Sequence, residues 1–280
     1  MTEYCMSTIA ERRARFRELH REGCFVIPNP WDVGSARYLQ HLGFKALATT
    51  SAGFAFSRGL PDGAVGCDAM LAHIGEIAGA IDVPVNADFE NAYADNPAAV
   101  AANVRRCVET GVAGVSVEDS TGRPGQPLYM LDHAVDRIMA ARDVTKADDV
   151  VLVGRAECFL VGLNDIDEVI RRLSAYARAG ADCLYAPGVQ KREDIAAIVA
   201  AVAPKPVNVL ISAPGGLTIS DCAALGVRRV SVGGALPRVA WGGFMRAATE
   251  LARFGRFDGF AGAAPHGELQ DFFRRPPPAS

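Results

Sequence analysis

The chain has 280 residues, half of them hydrophobic and 22% charged, with a formal net charge of -3. That length is enough for one large α/β domain with a substantial core, and the charge leaves no basic footprint for nucleic acid. No apolar run approaches the roughly 20 residues that span a bilayer, and the first residues lack the apolar core of a secretory leader. The seven cysteines are scattered without a CxxC pair, so the expectation is a cytoplasmic protein with reduced thiols, no membrane contact and a single domain over residues 1–280.

In chain order, apolar spacing predicts a helix over residues 7–21 and a first strand over 24–28 that delivers Asn29, Trp31 and Asp32. A second strand over 44–49 leads to Thr50, Ser51 and Ala52, and a helix follows over 68–81. The third strand, 83–88, ends in Asp88 and Glu90; the helix 98–109 leads to a fourth strand that opens over 112–115 and delivers Glu118 and Asp119. The fifth, 150–155, brings Arg155 and Glu157, and is followed by a helix over 165–179. Strands over 181–184, 206–211 and 227–232 complete the series, with a helix over 192–202 between the first two and Asn208 inside the seventh strand. Gly43, Gly111, Gly180 and Gly226 each close a helical pattern directly before a strand. Alternating strands and helices imply a parallel sheet, and eight such units imply a closed (β/α)8 TIM barrel with an extra N-terminal helix. The alternative is an open doubly wound sheet, but no Gly-x-Gly-x-x-Gly turn follows the first strand. The residues from about 274 to 280 read as a disordered tail.

Buried strands do not end in charges for packing reasons alone. In a barrel the strand ends build the active site, so Asp88, Glu90 and Glu118 converge there as candidate metal ligands. Asp88 and Glu90, two apart, are expected on one strand face. An all-oxygen set without His or Cys points to a hard cation, Mg²⁺. Arg155 supplies a fork for a substrate carboxylate, Asn208 stands among the strand-end residues, and Trp31 is a pocket wall. Arg123 and Tyr129, on the loop after the fourth strand, offer a cation and a phenol for a lid over the substrate. Plainer roles attach to Asp119 as a cap, Glu157 as an ion-pair partner of Arg155, and Cys158 as a buried thiol. Asp62, within Pro61-Asp62-Gly63, also reads as a turn residue.

These markers resemble the isocitrate lyase and phosphoenolpyruvate mutase superfamily of (β/α)8 enzymes, from about residue 29 to about residue 235. The segments that carry the resemblance are Thr49-Thr50-Ser51-Ala52-Gly53, Gly59-Leu60-Pro61-Asp62-Gly63, Asn86-Ala87-Asp88-Phe89-Glu90, Val115-Ser116-Val117-Glu118-Asp119 and Pro206-Val207-Asn208-Val209. The resemblance implies Mg²⁺ held by Asp88, with Glu90 and Glu118 holding its waters. It implies that Thr50, Ser51 and Ala52 cradle a 2-oxo carboxylate, that Arg155 binds the substrate's carboxylate, and that Asp62 lies near the reacting carbon as a catalytic group. It also implies an oligomer, a dimer or tetramer, with the segment 239–254 and Leu269, Phe272 and Phe273 as its apolar surface. The sequence departs from the family on the loop after the fourth strand. Ser120-Thr121-Gly122-Arg123 stands where the isocitrate and methylisocitrate lyases have Lys-Arg-Cys-Gly-His, and the Lys and Asn-Ser signature of phosphonopyruvate mutases is missing too. The resulting expectation is a Mg²⁺-dependent lyase that cleaves a C–C bond of, or decarboxylates, a small 2-oxo or 2-hydroxy carboxylic acid through an enolate. The alternatives are P–C bond chemistry on phosphonopyruvate, as mutase or hydrolase, and a non-catalytic barrel that binds an oxo acid.

Overall fold

The computed structural model describes residues 7–274. In chain order the elements are α1 (Ile9–Leu19), β1 (Phe25–Ile27), α2 (Val33–His41), β2 (Leu47–Ala48), α3 (Ser51–Ser57), α4 (Cys67–Ala80), β3 (Val85–Asp88), α5 (Pro97–Glu109), β4 (Gly114–Glu118), β5 (Ser120–Arg123), β6 (Gln126–Leu128), α6 (Leu131–Ala147), β7 (Val151–Arg155), α7 (Ile166–Arg178), β8 (Cys183–Tyr185), α8 (Arg192–Val202), β9 (Val207–Leu210), α9 (Ile219–Ala224), β10 (Arg229–Ser231), α10 (Ala235–Phe254) and α11 (His266–Arg274). All eight expected strands are present, in one parallel sheet of order β1-β10-β9-β8-β7-β4-β3-β2. Between its two ends, Ala48 N–H donates to Pro28 O at 3.1 Å and Asn29 Nδ2 to Thr49 O at 2.9 Å, which brings β1 to β2 and closes the ring. The expected disordered tail begins at Arg274, which ends α11; the rest of it lies outside the described residues.

Inside the barrel, side chains of alternate strand residues meet. Ile27, Ala46, Ala48, Val151, Val153, Cys183 and Tyr185 form one buried cluster, and Phe16 from α1 enters it with no exposed surface. The N-terminal helix is therefore a plug on the end of the barrel where the strands begin. Small inward residues make room for it: a Cβ on Gly114 would stand 2.6 Å from the Phe16 ring and 2.6 Å from Asn86 Oδ1. Arg12 fastens the same helix by donating to Ala78 O at 2.7 Å. The second and larger core lies between the strands and the outer helices, with Ile74, Val104, Ile138, Leu173 and Ile198 facing inward.

One departure from the sequence reading lies after the fourth strand, where the loop is a two-stranded antiparallel hairpin, β5 with β6. Polar residues such as Thr121, Arg123 and Gln126 gave no apolar alternation, so a period-2 signal was missing there.

α3 and α4 are held together by the Phe54 and His73 rings, stacked at 3.8 Å and 6°. Burial holds the His73 pKa down, to about 4, against a weaker opposing pull from Asp32. An unfolded His titrates near 6.5, so below that pH the unfolded chain takes a proton the native state refuses, and stability falls as pH drops toward 4. Comparing wild type with His73→Phe in urea melts isolates this group. Between pH 6.5 and 5 the wild type should lose about 2 kcal/mol more than the variant, and equal losses would refute the assignment.

Candidate active site

The carboxyl ends of β2, β3, β4 and β7 carry the charged cluster. Asp88, the last residue of β3, has its backbone N–H on Thr49 Oγ1 at 2.9 Å. Its Oδ2 accepts from the Ser51 N–H at 3.0 Å, at the start of α3, and its Oδ1 lies 3.1 Å from Arg155 Nη1. The same Arg155 Nη1 is 3.3 Å from Glu118 Oε2, while Arg155 Nε donates to Glu157 in a very short contact. Arg155 also lies 5.2 Å from the centre of the Tyr185 ring. Behind this group Asp119 points away from the barrel axis, toward the helix layer. It accepts from Arg172 Nη1 at 3.0 Å, the Tyr176 hydroxyl at 2.6 Å and the Glu157 N–H at 2.8 Å. That is a structural clamp on the segment that carries Glu157.

The electrostatics follow from crowding. Burial works against the Arg155 charge, yet Glu157, Glu118 and Asp88 together hold its pKa well above the usual guanidinium value. Burial pushes the Glu118 carboxyl well above its ordinary range despite the opposing pull of Arg155, and Glu157 is raised for the same reason. Glu90 is raised by burial to about 7, partly offset by a hydrogen bond from the Tyr93 hydroxyl, with Asp88 and Asp62 adding to the rise. Asp62 is raised by burial and by Asp88, and accepts a hydrogen bond from the Ser51 side chain. The Asp62 residue itself is exposed at the mouth, so solvent screens part of these effects.

A cavity of about 160 Å³ opens among these groups, and Thr50, Ser51, Ala52, Asp62, Asp88 and Arg155 line it. Its size suits a small acid and falls well short of the roughly 300–1,000 Å³ of drug-sized sites. Larger hollows of about 640 and 800 Å³ lie at the other end of the barrel, where Arg13, Asp148 and Asp149 line one and Lys45 and Val83 the other. They are surface grooves beside α1, away from the acidic cluster.

Several expected site residues stand elsewhere. Glu90 does not share a strand face with Asp88. The strand ends at Asp88, and the chain turns with positive φ at Glu90 (47°), Ala92 (56°) and Tyr93 (55°). Glu90 Oε1 accepts from the Tyr93 hydroxyl at 2.7 Å instead of lining the cavity. Arg123 stays on the hairpin, more than half exposed and paired with Asp95 at 2.9 Å, outside the cavity. Trp31 stands against Gly53, where its Cβ would be 2.9 Å from an added methyl, so it backs the 50–53 segment without lining the cavity. Asn208 is buried inside the barrel and bonds to Arg229 and Ser231. Glu118 is reached only through Arg155, whose Nη1 stands between it and Asp88. Among the described residues, no three Asp, Glu, His or Cys side chains form a ready-made cage for a metal.

The structure also adds residues to the cavity that the strand-end reading passed over: Asn86, Ser116, Tyr185, Arg229 and Ser231. A signal for some of them exists, since Asn86 with Asp88, Ser116 with Glu118, and Arg229 with Ser231 are spaced by two along apolar strands. That spacing places each pair on one face of its strand.

A closed (β/α)8 barrel whose strand ends gather acids, an arginine and a small cavity defines a class of enzymes that act on small acids at that face. The family model for phosphoenolpyruvate phosphomutase matches residues 16–252, and the chain belongs to this family, within the isocitrate lyase/PEP mutase superfamily. It is 49% identical to a Burkholderia cenocepacia J2315 protein provisionally described as a lyase/mutase, with a TM-score of 0.93 over 96% of this chain and 98% of that one. The structure of oxaloacetate acetylhydrolase in complex with the product oxalate is 28% identical, with a TM-score of 0.83 over 95% of each chain. The oxaloacetate decarboxylase of Paraburkholderia xenovorans LB400 is 33% identical over 229 residues, 78% of this chain and 74% of that protein.

Proposed function

We propose that the protein is a Mg²⁺-dependent lyase that breaks a C–C bond of a small 2-oxo or 2-hydroxy carboxylic acid through an enolate. The observation that carries this reading is the meeting of Asp88, Asp62, Arg155 and the Ser51–Ala52 segment around one small cavity. Relatives that cleave or decarboxylate oxaloacetate support it.

The donor chemistry fits a hard cation. Asp62, Asp88, Glu90, Glu118 and Glu157 are drawn together with Arg155 as the cation they share, an excess of acid that a divalent ion offsets. Mg²⁺ keeps several waters and takes only one or two carboxylates directly, so a cage of three is not needed. Asp88, which lines the cavity, would hold the ion; Glu90, turned to Tyr93, and Glu118, behind Arg155, stand back from it and would reach it only through its waters. When bound, the ion supplies Lewis-acid neutralisation of the negative charge that develops on the substrate's oxygens. The chain's own residues do the rest. Arg155 and the start of α3 orient the carboxylate. The Ser51 N–H is already engaged by Asp88 and the Ser51 hydroxyl by Asp62, which leaves the Ala52 N–H as the donor for the acid. Asp62, with its raised pKa, holds or accepts the proton at the reacting carbon.

Oxalate mimics a planar enolate of pyruvate, and its binding measured by calorimetry tests the site. Binding that requires Mg²⁺ is the expected result; no binding with or without the ion would refute the reading. Release of CO₂ or a cleaved acid, compared with phosphate release from phosphonopyruvate, separates C–C from P–C chemistry. Ligand binding without any turnover would select the non-catalytic alternative.

Oligomerisation is part of the same proposal. α10 spans 20 residues and buries only Pro237. Val239, Phe244, Met245 and Phe254 are each at least 60% exposed. Apolar surface of this extent marks an interaction site, and a second copy of the chain is its occupant. Sedimentation at micromolar concentration should give a dimer or tetramer, and Phe244→Asp should shift it toward monomer. A monomeric wild type would contradict this.

A further inference from the structure

Beneath the acidic mouth lies a second cation. Arg229 opens β10, is 2% exposed, and lines the floor of the cavity. Its Nε donates to Asn208 Oδ1 at 2.8 Å and its Nη1 to Asn86 Oδ1 at 3.3 Å. A guanidinium has five N–H donors, and the remaining ones have no protein acceptor among the described residues. Nη2, which has no protein partner among the described residues, is not among the fully sealed unpartnered side-chain nitrogens, and Arg229 lines the cavity. The groups that act on its charge are the Cys183 thiol and the Tyr185 phenol, and burial disfavours the charge overall. Arg155, in contrast, faces three carboxylates.

The two asparagines are oriented by this arrangement. Because a guanidinium only donates, each amide must turn its oxygen to Arg229, which turns the NH₂ groups outward. Asn86 Nδ2 then donates to Ser116 Oγ at 3.0 Å, and Asn208 Nδ2 to Ser231 Oγ at 3.0 Å. Ser231 serves the Tyr185 hydroxyl, whereas the Ser116 hydroxyl proton has no protein acceptor among the described residues and Ser116 lines the cavity. The floor is thus a set of donors around a buried positive charge, below a mouth rich in carboxylates. A buried charge without a counter-charge is costly, and an anion entering the cavity removes that cost.

We propose that Arg229, with the Ser116 hydroxyl, is an anion subsite that takes a second carboxylate of the substrate, selecting compact diacids over monoacids of the same skeleton. This rests on the proposed oxo-acid site for the ligand's other end. The planar guanidinium edge matches a carboxylate in a two-bonded contact, and the cavity of about 160 Å³ admits only a compact diacid.

Matched ligands test it. Malate and 2-hydroxybutyrate differ by a carboxylate in place of a methyl, and phosphonolactate carries a phosphonate there. Calorimetry on the full chain with Mg²⁺ should show malate binding about tenfold or more tighter than 2-hydroxybutyrate. In Arg229→Met that ratio should fall to about one, because malate loses more affinity than 2-hydroxybutyrate does. Asn208→Asp places a protein carboxylate against Arg229 and should abolish the preference as well. It retains the side-chain volume and covers the case in which Arg229→Met does not fold, as judged by thermal melting. An unchanged ratio in a folded variant overturns the proposal, and so does a stronger preference for phosphonolactate than for malate. If oxalate and 2-hydroxybutyrate bind but malate has no advantage, the Arg229 subsite alone fails. If none of these acids binds the wild type, the oxo-acid site fails and the subsite falls with it.

Discussion

Asp88→Asn should reduce turnover by about 10³-fold or more, the equivalent of roughly 4 kcal/mol of transition-state stabilisation. The amide keeps the size of the carboxylate and can still accept from the Ser51 N–H, now 3.0 Å from Asp88 Oδ2. What it loses is the charge that faces Arg155 at 3.1 Å and, in the proposed mechanism, the direct bond to the cation. Mg²⁺ affinity measured by calorimetry should fall together with activity, while circular dichroism stays native. A variant that retains activity within about tenfold of wild type would remove Asp88 from the centre of the site.

Arg155→Met should destabilise the fold by about 3–5 kcal/mol, because it leaves buried carboxylates without their cation. Asp88, Glu118 and Glu157 all lean on the same guanidinium. The sign of the pH dependence identifies the cause. Glu118 and Glu157 already have raised pKa values through burial, with Arg155 opposing the rise. A carboxyl raised in the folded state contributes stability that is present below its unfolded value of about 4.5 and lost as pH rises through the folded value. Removing Arg155 raises both further, so the variant's deficit should be largest near pH 8 and shrink as the pH is lowered toward 5. Added Mg²⁺ should restore part of the loss at pH 8. A deficit that does not vary with pH would mean that Arg155 contributes packing over Tyr185 and little charge pairing.

Tyr93 and Ala92 show why part of the site was not legible along the chain. The alternation that places Asp88 and Ser116 on inward faces holds only while the backbone is extended. It ends at Asp88, two residues before Glu90, and the positive φ values of Glu90, Ala92 and Tyr93 redirect the Glu90 carboxylate toward the Tyr93 hydroxyl. Non-glycine residues occupy that region at a cost of about 1–2 kcal/mol each. The turn persists because Asn103 Nδ2 holds Ala92 O at 2.9 Å and Arg137 holds Ala94 O at 3.0 Å. None of those partners is near in sequence. Arg123 is the converse case: it sits close in sequence to Glu118, but the hairpin carries it outward to Asp95.

The strands, their parallel order and the delivery of Asp88, Glu118 and Arg155 to one end of the barrel are determined by the sequence itself. Apolar runs, helix-ending glycines and charges at strand ends are local patterns, and they also carry the resemblance to the family. The plugging of the barrel by Phe16, the sharing of Arg155 by several carboxylates and the unpaired Arg229 beneath them were decided only by the tertiary structure. Each depends on strands distant in sequence meeting across a closed ring, where burial sets which charges find partners and which are left facing the cavity.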